Sequence, residues 1–507
     1  MANASLYARI ETALRDRPDA VALRATSGET QTNRLLLEAI DRMAAALLSL
    51  GVGPGDRVTV QVEKSLANVA LYLATLKIGA IYNPLNSAYT AAELDYFLGD
   101  AEPRVLVADP ERAAVLAPIA AARGVAQVVT LDAAGHGTLA TLAAAQSGPV
   151  ATAECAPTDL AALLYTSGTT GRSKGAMITH ENLLSNAETL VSYWGFEGGD
   201  VLLHALPIFH VHGLFVALNT AFLSGAEIIW LPKFDVASML ALMPEATVVM
   251  GVPTFYTRLL AEPSFGRSHT GKLRIVVSGS APLLAETHVA FEERTGLQIV
   301  ERYGMTEAGM ITSNPYRVGA RIAGTVGYAL PGISVRLTGE GGSVVGPGEV
   351  GVLEVKGPNV FSGYWRMPDK TAEEFRSDGY FVSGDLATMA GDGRVTIVGR
   401  AKDLIISGGY NIYPKEIENE INDIAGVGES AVIGVPHADF GECVIAVITA
   451  AASGAVPTPD EVMARLAGRL AKFKLPKAVI LVDELPRNAM GKVQKAELRE
   501  RYRSILG

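Results

Sequence analysis

Apolar residues recur at helical spacing from position 35 to 50, Gly51 ends the run, and residues 57–62 then alternate as a strand does. The same helix, turn, strand rhythm continues along the chain. The apolar stretch 66–85 is broken by Asn68, Lys77, Gly79 and Pro84, so it predicts a buried helix followed by a short strand rather than a membrane span. Short β-branched segments at 105–108, 127–131, 227–231, 247–250 and 274–278 are separated by helical patterns. Such alternation predicts α/β layers with largely parallel sheets. The Ala-rich stretch 111–147 predicts helical surface.

After Pro331 the period changes to two, Gly and Val dominate, and the turn signals GEGG and GPGE follow closely. Residues up to 398 therefore predict antiparallel β structure, a small β-barrel attached to the main body. Beyond 400 the pattern predicts a helix at 414–424, strands at 430–435 and 444–450, a helix at 459–470 and a strand at 478–482. This is an α+β unit with its own core. The expected fold class is thus a large N-terminal α/β domain, residues 1–400, and a smaller mobile α+β domain, residues 404–507, joined by a hinge at 401–403.

The chain has 507 residues, of which 49% are hydrophobic, which excludes a disordered protein. Its 43 Lys and Arg against 53 Asp and Glu give a formal charge of −10, the wrong sign for a broad nucleic-acid or anionic-membrane surface. Any phosphate chemistry is then local. Cys155 and Cys443 fall in different predicted domains, so no disulfide framework is expected. The N-terminal stretch interleaves acids and bases without an export-type apolar core, and a cytoplasmic location is expected.

The sharpest local signal is YTSGTTGRSKG at 165–175, directly after an apolar strand. Gly168 and Gly171 let the backbone aim N–H groups at an anion, Thr166, Ser167, Thr169 and Thr170 add hydroxyl donors, and Lys174 adds a mobile charge. Such a loop suits a polyphosphate. No Ser or Thr follows Lys174, so this is not a GxxxxGK[ST] loop and a Mg²⁺ ion must be held elsewhere. In these residues the chain resembles the adenylate-forming enzymes, which include acyl-CoA synthetases, luciferases and peptide-synthetase adenylation domains. Ser173 stands where their signature TSGTTGxPKG has proline.

Further motifs follow in that family's order. The stretch 301–307, Glu301, Arg302, Tyr303, Gly304, Met305, Thr306 and Glu307, resembles the family's nucleotide segment. The resemblance implies that Tyr303 stacks on the purine, Thr306 donates to the α-phosphate, and Glu307, with Thr166, contacts Mg²⁺. Ser278, Gly279, Ser280 and Ala281 resemble the adenine-side loop. Asp385 in SGD matches the ribose-binding Asp, and Arg400 would reach the ribose or α-phosphate. Lys402 falls at the family's hinge position, while Ser407, Gly408 and Gly409 leave room for the pantetheine arm of CoA. Lys492 in LPRNAMGKVQK matches the catalytic lysine, whose ammonium bridges the acyl carboxylate and the phosphate. Its charge is also one that a protein lysine acetyltransferase would remove.

At the acyl end, His210 follows Phe209 at the family's acyl-pocket position and suits orienting a carboxylate, whereas His212 reads as packing. Arg302 directly precedes the motif tyrosine, where many relatives carry a small residue; a guanidinium there would block a fatty tail and grip a second carboxylate, with Arg258 flanking it. The stretches HALPIFHVHGLF, GVPTFYTRLL, ERYGMTE, KGPNVFSGYWRMPDKT and LPRNAMGKVQK resemble the malonyl-CoA synthetases. The resemblance implies an ATP-dependent ligase for malonate, ATP and CoA that works through a malonyl adenylate. Activation of methylmalonate or another short acid, loading of a carrier protein, and a non-catalytic AMP-binding regulator stay open at this level.

Overall fold

Helix Leu66–Lys77 is buried along nearly its whole length, as its mostly apolar sequence requires, and Ser65 caps it by accepting the Asn68 N–H. Lys77 at its end is fully buried, and its ammonium is met by Asp41 at 2.5 Å and Glu11 at 3.4 Å, which ties this helix to the two helices before it. No helix among the described residues is long and apolar enough to cross a membrane. The computed structural model describes residues 3–166, 173–407, 410–437, 440–451, 455–467, 469–488 and 491–506.

Two sheets carry the large domain. In the first, the order is Gln127–Thr130, Val105–Ala108, Arg57–Gln61, Ile81–Pro84, Leu160–Thr166 and Lys174–Thr179, parallel throughout except for the last pair. In the second, a parallel centre of Val300–Met305, Ile275–Ser278, Val248–Gly251, Val201–His204, Glu227–Trp230 and Val21–Ala25 is flanked by antiparallel strands at both edges. Helices cover these sheets, and one apolar cluster runs through the body. The Ala-rich helix Pro110–Ala122 buries only Leu116 and Ala120, so it is surface as expected.

The antiparallel region is Ser334–Thr338, Val350–Lys356, Phe381–Met389 and Val395–Arg400 in simple order. Among the described residues its first and last strands do not pair. The sequence expectation of a barrel is corrected to a four-stranded sheet, because four strands are too few for the tilt and stagger that closure needs. The small domain is built on Gly441–Ala450 and Val427–His437 paired antiparallel, with Ala478–Val482 added parallel. Side-chain alternation divides its core: Val444, Ala446 and Ile448 pack on one face, Ile445 and Val447 on the other, in clusters separate from that of the large domain.

One element was not expected. Residues His212–Asn219 form a fully buried π-helix, a rare conformation that tends to accompany functional sites.

Candidate active site

Thr166 ends the strand Leu160–Thr166 and Ser278 ends Ile275–Ser278, so both lie at the C-terminal ends of strands in largely parallel sheets, where α/β folds bind ligands in a crevice. Thr166 and Lys174 are cross-strand partners, so the signature loop leaves and re-enters the sheet at one point. Ser167, Gly168, Thr169, Thr170 and Gly171 of that loop lie outside the described residues. At its base Thr166 donates to Glu307 Oε1 at 3.4 Å. Glu307 is buried, and loss of water pushes its carboxyl above the usual range. Tyr364 links this carboxylate to a second one, its hydroxyl lying 3.1 Å from Glu307 and 2.7 Å from Glu374. Lys174 Nζ sits 3.0 Å from Glu374 and 4.0 Å above the Tyr364 ring.

Among the described residues no three His, Cys, Asp or Glu side chains form a metal cluster. A single buried carboxylate with a hydroxyl beside it fits a Mg²⁺ ion that arrives on phosphate oxygens, since that ion keeps few protein ligands.

Strand alternation sends Glu301 and Tyr303 to one side of Val300–Met305 and Arg302 to the other. Tyr303 donates to Asp385 Oδ2 at 2.5 Å, and Arg400 Nε approaches Oδ1 at 3.0 Å. Asp385 is presented from within the strand Phe381–Met389, at an irregularity in its pairing with Val350–Lys356 where Gly384 holds a φ of +72° that suits glycine, and Ser383 accepts the Asp385 N–H at 3.1 Å. Glu301 accepts the Leu283 N–H at 3.3 Å and leaves its other oxygen without a partner; burial pushes its carboxyl up to about 8. It therefore holds the loop that follows Ser278–Ala281 rather than pointing at Asp385.

Lys492 comes to this crevice from the small domain. Its turn is closed by Asn488, which accepts the Lys492 N–H at 3.0 Å, and Gly491 packs on the large domain, where an added Cβ would lie 3.3 Å from Thr254 Oγ1. Burial, with Arg400 and Arg302 nearby, pushes the ammonium down to about 8, while Asp385 and Glu307 oppose the shift. The lysine thus stands near Arg400, Asp385, Glu307 and Arg302. Lys402 lies in the exposed turn Ala401–Asp403, next to Asp403, which Arg499 of the small domain bridges at 2.5 Å. Ser407 pairs with Tyr410 and Gly441; Gly408 and Gly409 lie outside the described residues.

At the acyl end His210 is half-buried, and its Nδ1 accepts the His212 N–H at 3.2 Å, leaving Nε2 to donate. Burial, together with Lys492 and Arg302, pushes its pKa down to about 3, so the ring is neutral. Arg302 is 3% exposed, and its Nε and Nη2 find no partner among the described residues. Its guanidinium lies flat on Gly279, where a Cβ would stand 2.4 Å from Cζ, and burial pushes its pKa down to about 9. His212 does more than pack: its Nδ1 is 3.2 Å from Ser280 Oγ and its Nε2 is buried with no partner among the described residues. Ser280 holds a φ of +70° to meet it. Arg258 is exposed and makes no contact with Arg302 among the described residues; it lies one turn beyond Thr254 in Pro253–Ala261, on the stripe that faces the Lys492 turn.

Sequence reasoning missed Tyr364, Glu374, Ser280 as a partner of His212, and the polar role of His212. KGPNVFSGYWRMPDKT was a usable signal for the first, since it brings Tyr364 into view without saying what it touches.

Residues 10–365 match the AMP-binding enzyme family model, and residues 416–492 match the AMP-binding enzyme C-terminal domain. A feruloyl-CoA synthase of Amycolatopsis sp is 38% identical over 496 residues, 96% of each chain. A malonate–CoA ligase of Arabidopsis thaliana is 36% identical over 478 residues, 88% of this chain and 78% of the other. The crystal structure of ATP-bound MatB from Rhodopseudomonas palustris superposes with a TM-score of 0.97 at 54% identity, and apo MatB with 0.85, each over 100% of both chains. The fold described above is thus closer to the ATP-bound form.

Proposed function

Because the chain belongs to the AMP-binding enzyme family, we propose that it is an ATP-dependent malonate–CoA ligase, forming malonyl-CoA, AMP and pyrophosphate through a malonyl adenylate. The observation that carries the choice of acid is Arg302. Burying a guanidinium with unmet donors is costly, and a carboxylate held in bidentate fashion repays both the charge and the hydrogen bonds. A feruloyl group offers no such anion. The similarity to MatB and to malonate–CoA ligases supports the same reading. Arg258, exposed on the crevice-facing stripe, is assigned the outer contact to that carboxylate.

In the first half-reaction a malonate oxygen attacks the α-phosphorus, an O–P bond forms, and the bond to pyrophosphate breaks. Lys492 bridges the attacking carboxylate and the phosphate, Thr306 donates to the α-phosphate, and neutral His210 orients the carboxylate through Nε2. Tyr303, Asp385 and Arg400 hold the nucleoside, and the loop from Thr166 to Lys174 holds the polyphosphate. Glu307 and Thr166 would hold Mg²⁺, which when bound neutralises phosphate charge. In the second half-reaction the small domain, residues 404–507, turns about 401–403 and withdraws Lys492, and the CoA thiol displaces AMP from the acyl carbon along Ser407, Gly408 and Gly409. Separate cores in the two domains support such motion.

Pyrophosphate release across a panel of acids, with and without CoA and with mass detection of the thioester, tests this reading. Malonate preference with a malonyl-CoA product is expected. Preference for ferulate or a small monocarboxylate would keep the mechanism and overturn the role of Arg302 and Arg258.

A further inference from the structure

Lys174 guards the base of the phosphate loop, yet its ammonium does not point at open solvent. It is 8% exposed, paired with Glu374 Oε1 at 3.0 Å and resting on the Tyr364 ring at 4.0 Å. Glu374 is engaged on both oxygens. Oε2 accepts from Tyr364 at 2.7 Å, and Oε1 also meets Lys370 at 3.2 Å. Lys370 lies four residues earlier on the short helix Pro368–Glu374, on the solvent side, and also reaches Glu373 at 2.9 Å. One carboxylate thus holds two ammonium groups, one inside beside the loop and one outside.

We propose that Glu374 is the resting counter-ion of Lys174. Lys174 pairs with Glu374 and transfers to the pyrophosphate moiety when that anion binds, and Lys370 keeps Glu374 neutralised during the exchange. The physical need is clear: a largely buried ammonium without a partner is unfavourable, so a lysine that must serve an incoming anion requires another anion before it arrives. The same logic protects Glu374 afterwards, because Lys370 stays within ion-pair distance when Lys174 leaves. The Tyr364 hydroxyl sets the carboxylate in place and reaches Glu307 at 3.1 Å, so the parked lysine and the metal-side carboxylate share one anchor. The inference rests on the assignment of Lys174 to the phosphate end made above.

The exchange predicts opposite signs for two substitutions on the same helix. Glu374→Gln removes the competing anion and keeps the side-chain volume and the acceptor for Tyr364, so Lys174 waits unpaired and magnesium pyrophosphate binds about three- to tenfold tighter. Lys370→Met leaves Glu374 without its second cation once Lys174 departs, so the same ligand binds more weakly by roughly two- to fivefold. Isothermal titration of magnesium pyrophosphate into the full-length protein reads both, with Lys174→Met as the reference for loss of the phosphate contact. Mere structural damage at Glu374 would weaken binding, not tighten it. Unchanged or weaker binding by Glu374→Gln, alongside a clear loss in Lys174→Met, overturns the counter-ion role while leaving the proposed function standing. Wild-type affinity in Lys174→Met instead overturns the placement of the lysine at the phosphate end, and the counter-ion role with it. If Glu374→Gln does not fold, Lys370→Met, on the solvent side, decides the matter by its sign.

Discussion

In the function proposed above, Arg302 weakens the fold to serve the ligand. Its Nε and Nη2 are buried without partners among the described residues, and its pKa is pushed down to about 9, so the fold carries an unmet cost there. Arg302→Ala is expected to raise the malonate KM by roughly tenfold to a hundredfold, the worth of a charged hydrogen-bonded contact, while leaving the Tm unchanged or higher. Kinetics with malonate and a melting curve on the same preparation check this; a lowered Tm would make the arginine a brace. Lys492 gives a pH signature. With its free-enzyme pKa pushed down to about 8, the ammonium needed for adenylation is complete below that pH and is lost above it. The kcat/KM for malonate-dependent pyrophosphate release should therefore be flat through neutrality and fall on the alkaline side of about 8. His210, pushed down to about 3, adds no inflection near neutrality. A rise in rate between pH 8 and 9.5 on the order of tenfold would contradict the charge role.

At the scale of elements, the turn that carries Thr306 and Glu307 is fixed by backbone contact. Gly304 faces the Gly309 carbonyl so closely that a Cβ would stand 2.1 Å from its oxygen. Asn359 donates to the Ala308 carbonyl at 2.6 Å, and Asn186 both accepts from the Met310 N–H and donates to its carbonyl. Gly304→Ala is expected to destabilise the protein by about 1–3 kcal/mol through overpacking and to lower kcat by displacing both functional side chains; denaturant melts and initial rates measure the two effects. The motif ERYGMTE was legible because its residue types and order, which carry the family resemblance, lie in the sequence itself. The clamp was not, because Asn186 and Asn359 belong to other elements and only packing brings their amides to this turn. The barrel expectation failed for a related reason: alternation reports which faces are buried, while closure depends on how far a sheet coils.

At the scale of the whole molecule, the two domains are linked at the hinge turn and at the Lys492 turn on Thr254. Lys492→Ala should abolish adenylation yet leave thioester formation from preformed malonyl adenylate largely intact. Lys402→Pro, which stiffens the hinge backbone, should do the reverse, retaining adenylate formation while CoA transfer is lost. Separate assays of the half-reactions distinguish them, and equal losses in both steps for both variants would remove the division of labour. By itself the sequence determined the α/β rhythm and the division into a large and a small domain, because these follow from local periodicity, and its motifs carried the family resemblance from which the nucleotide residues are proposed. Tertiary structure alone decided that Lys174 rests on Glu374, that His212 meets Ser280, that Arg302 lies buried against Gly279 with donors to spare, and that Lys492 stands among Asp385, Glu307 and Arg302. Those relations join residues far apart along the chain, and a charge acquires its pKa and its partner only when folding removes water and sets the neighbour in place.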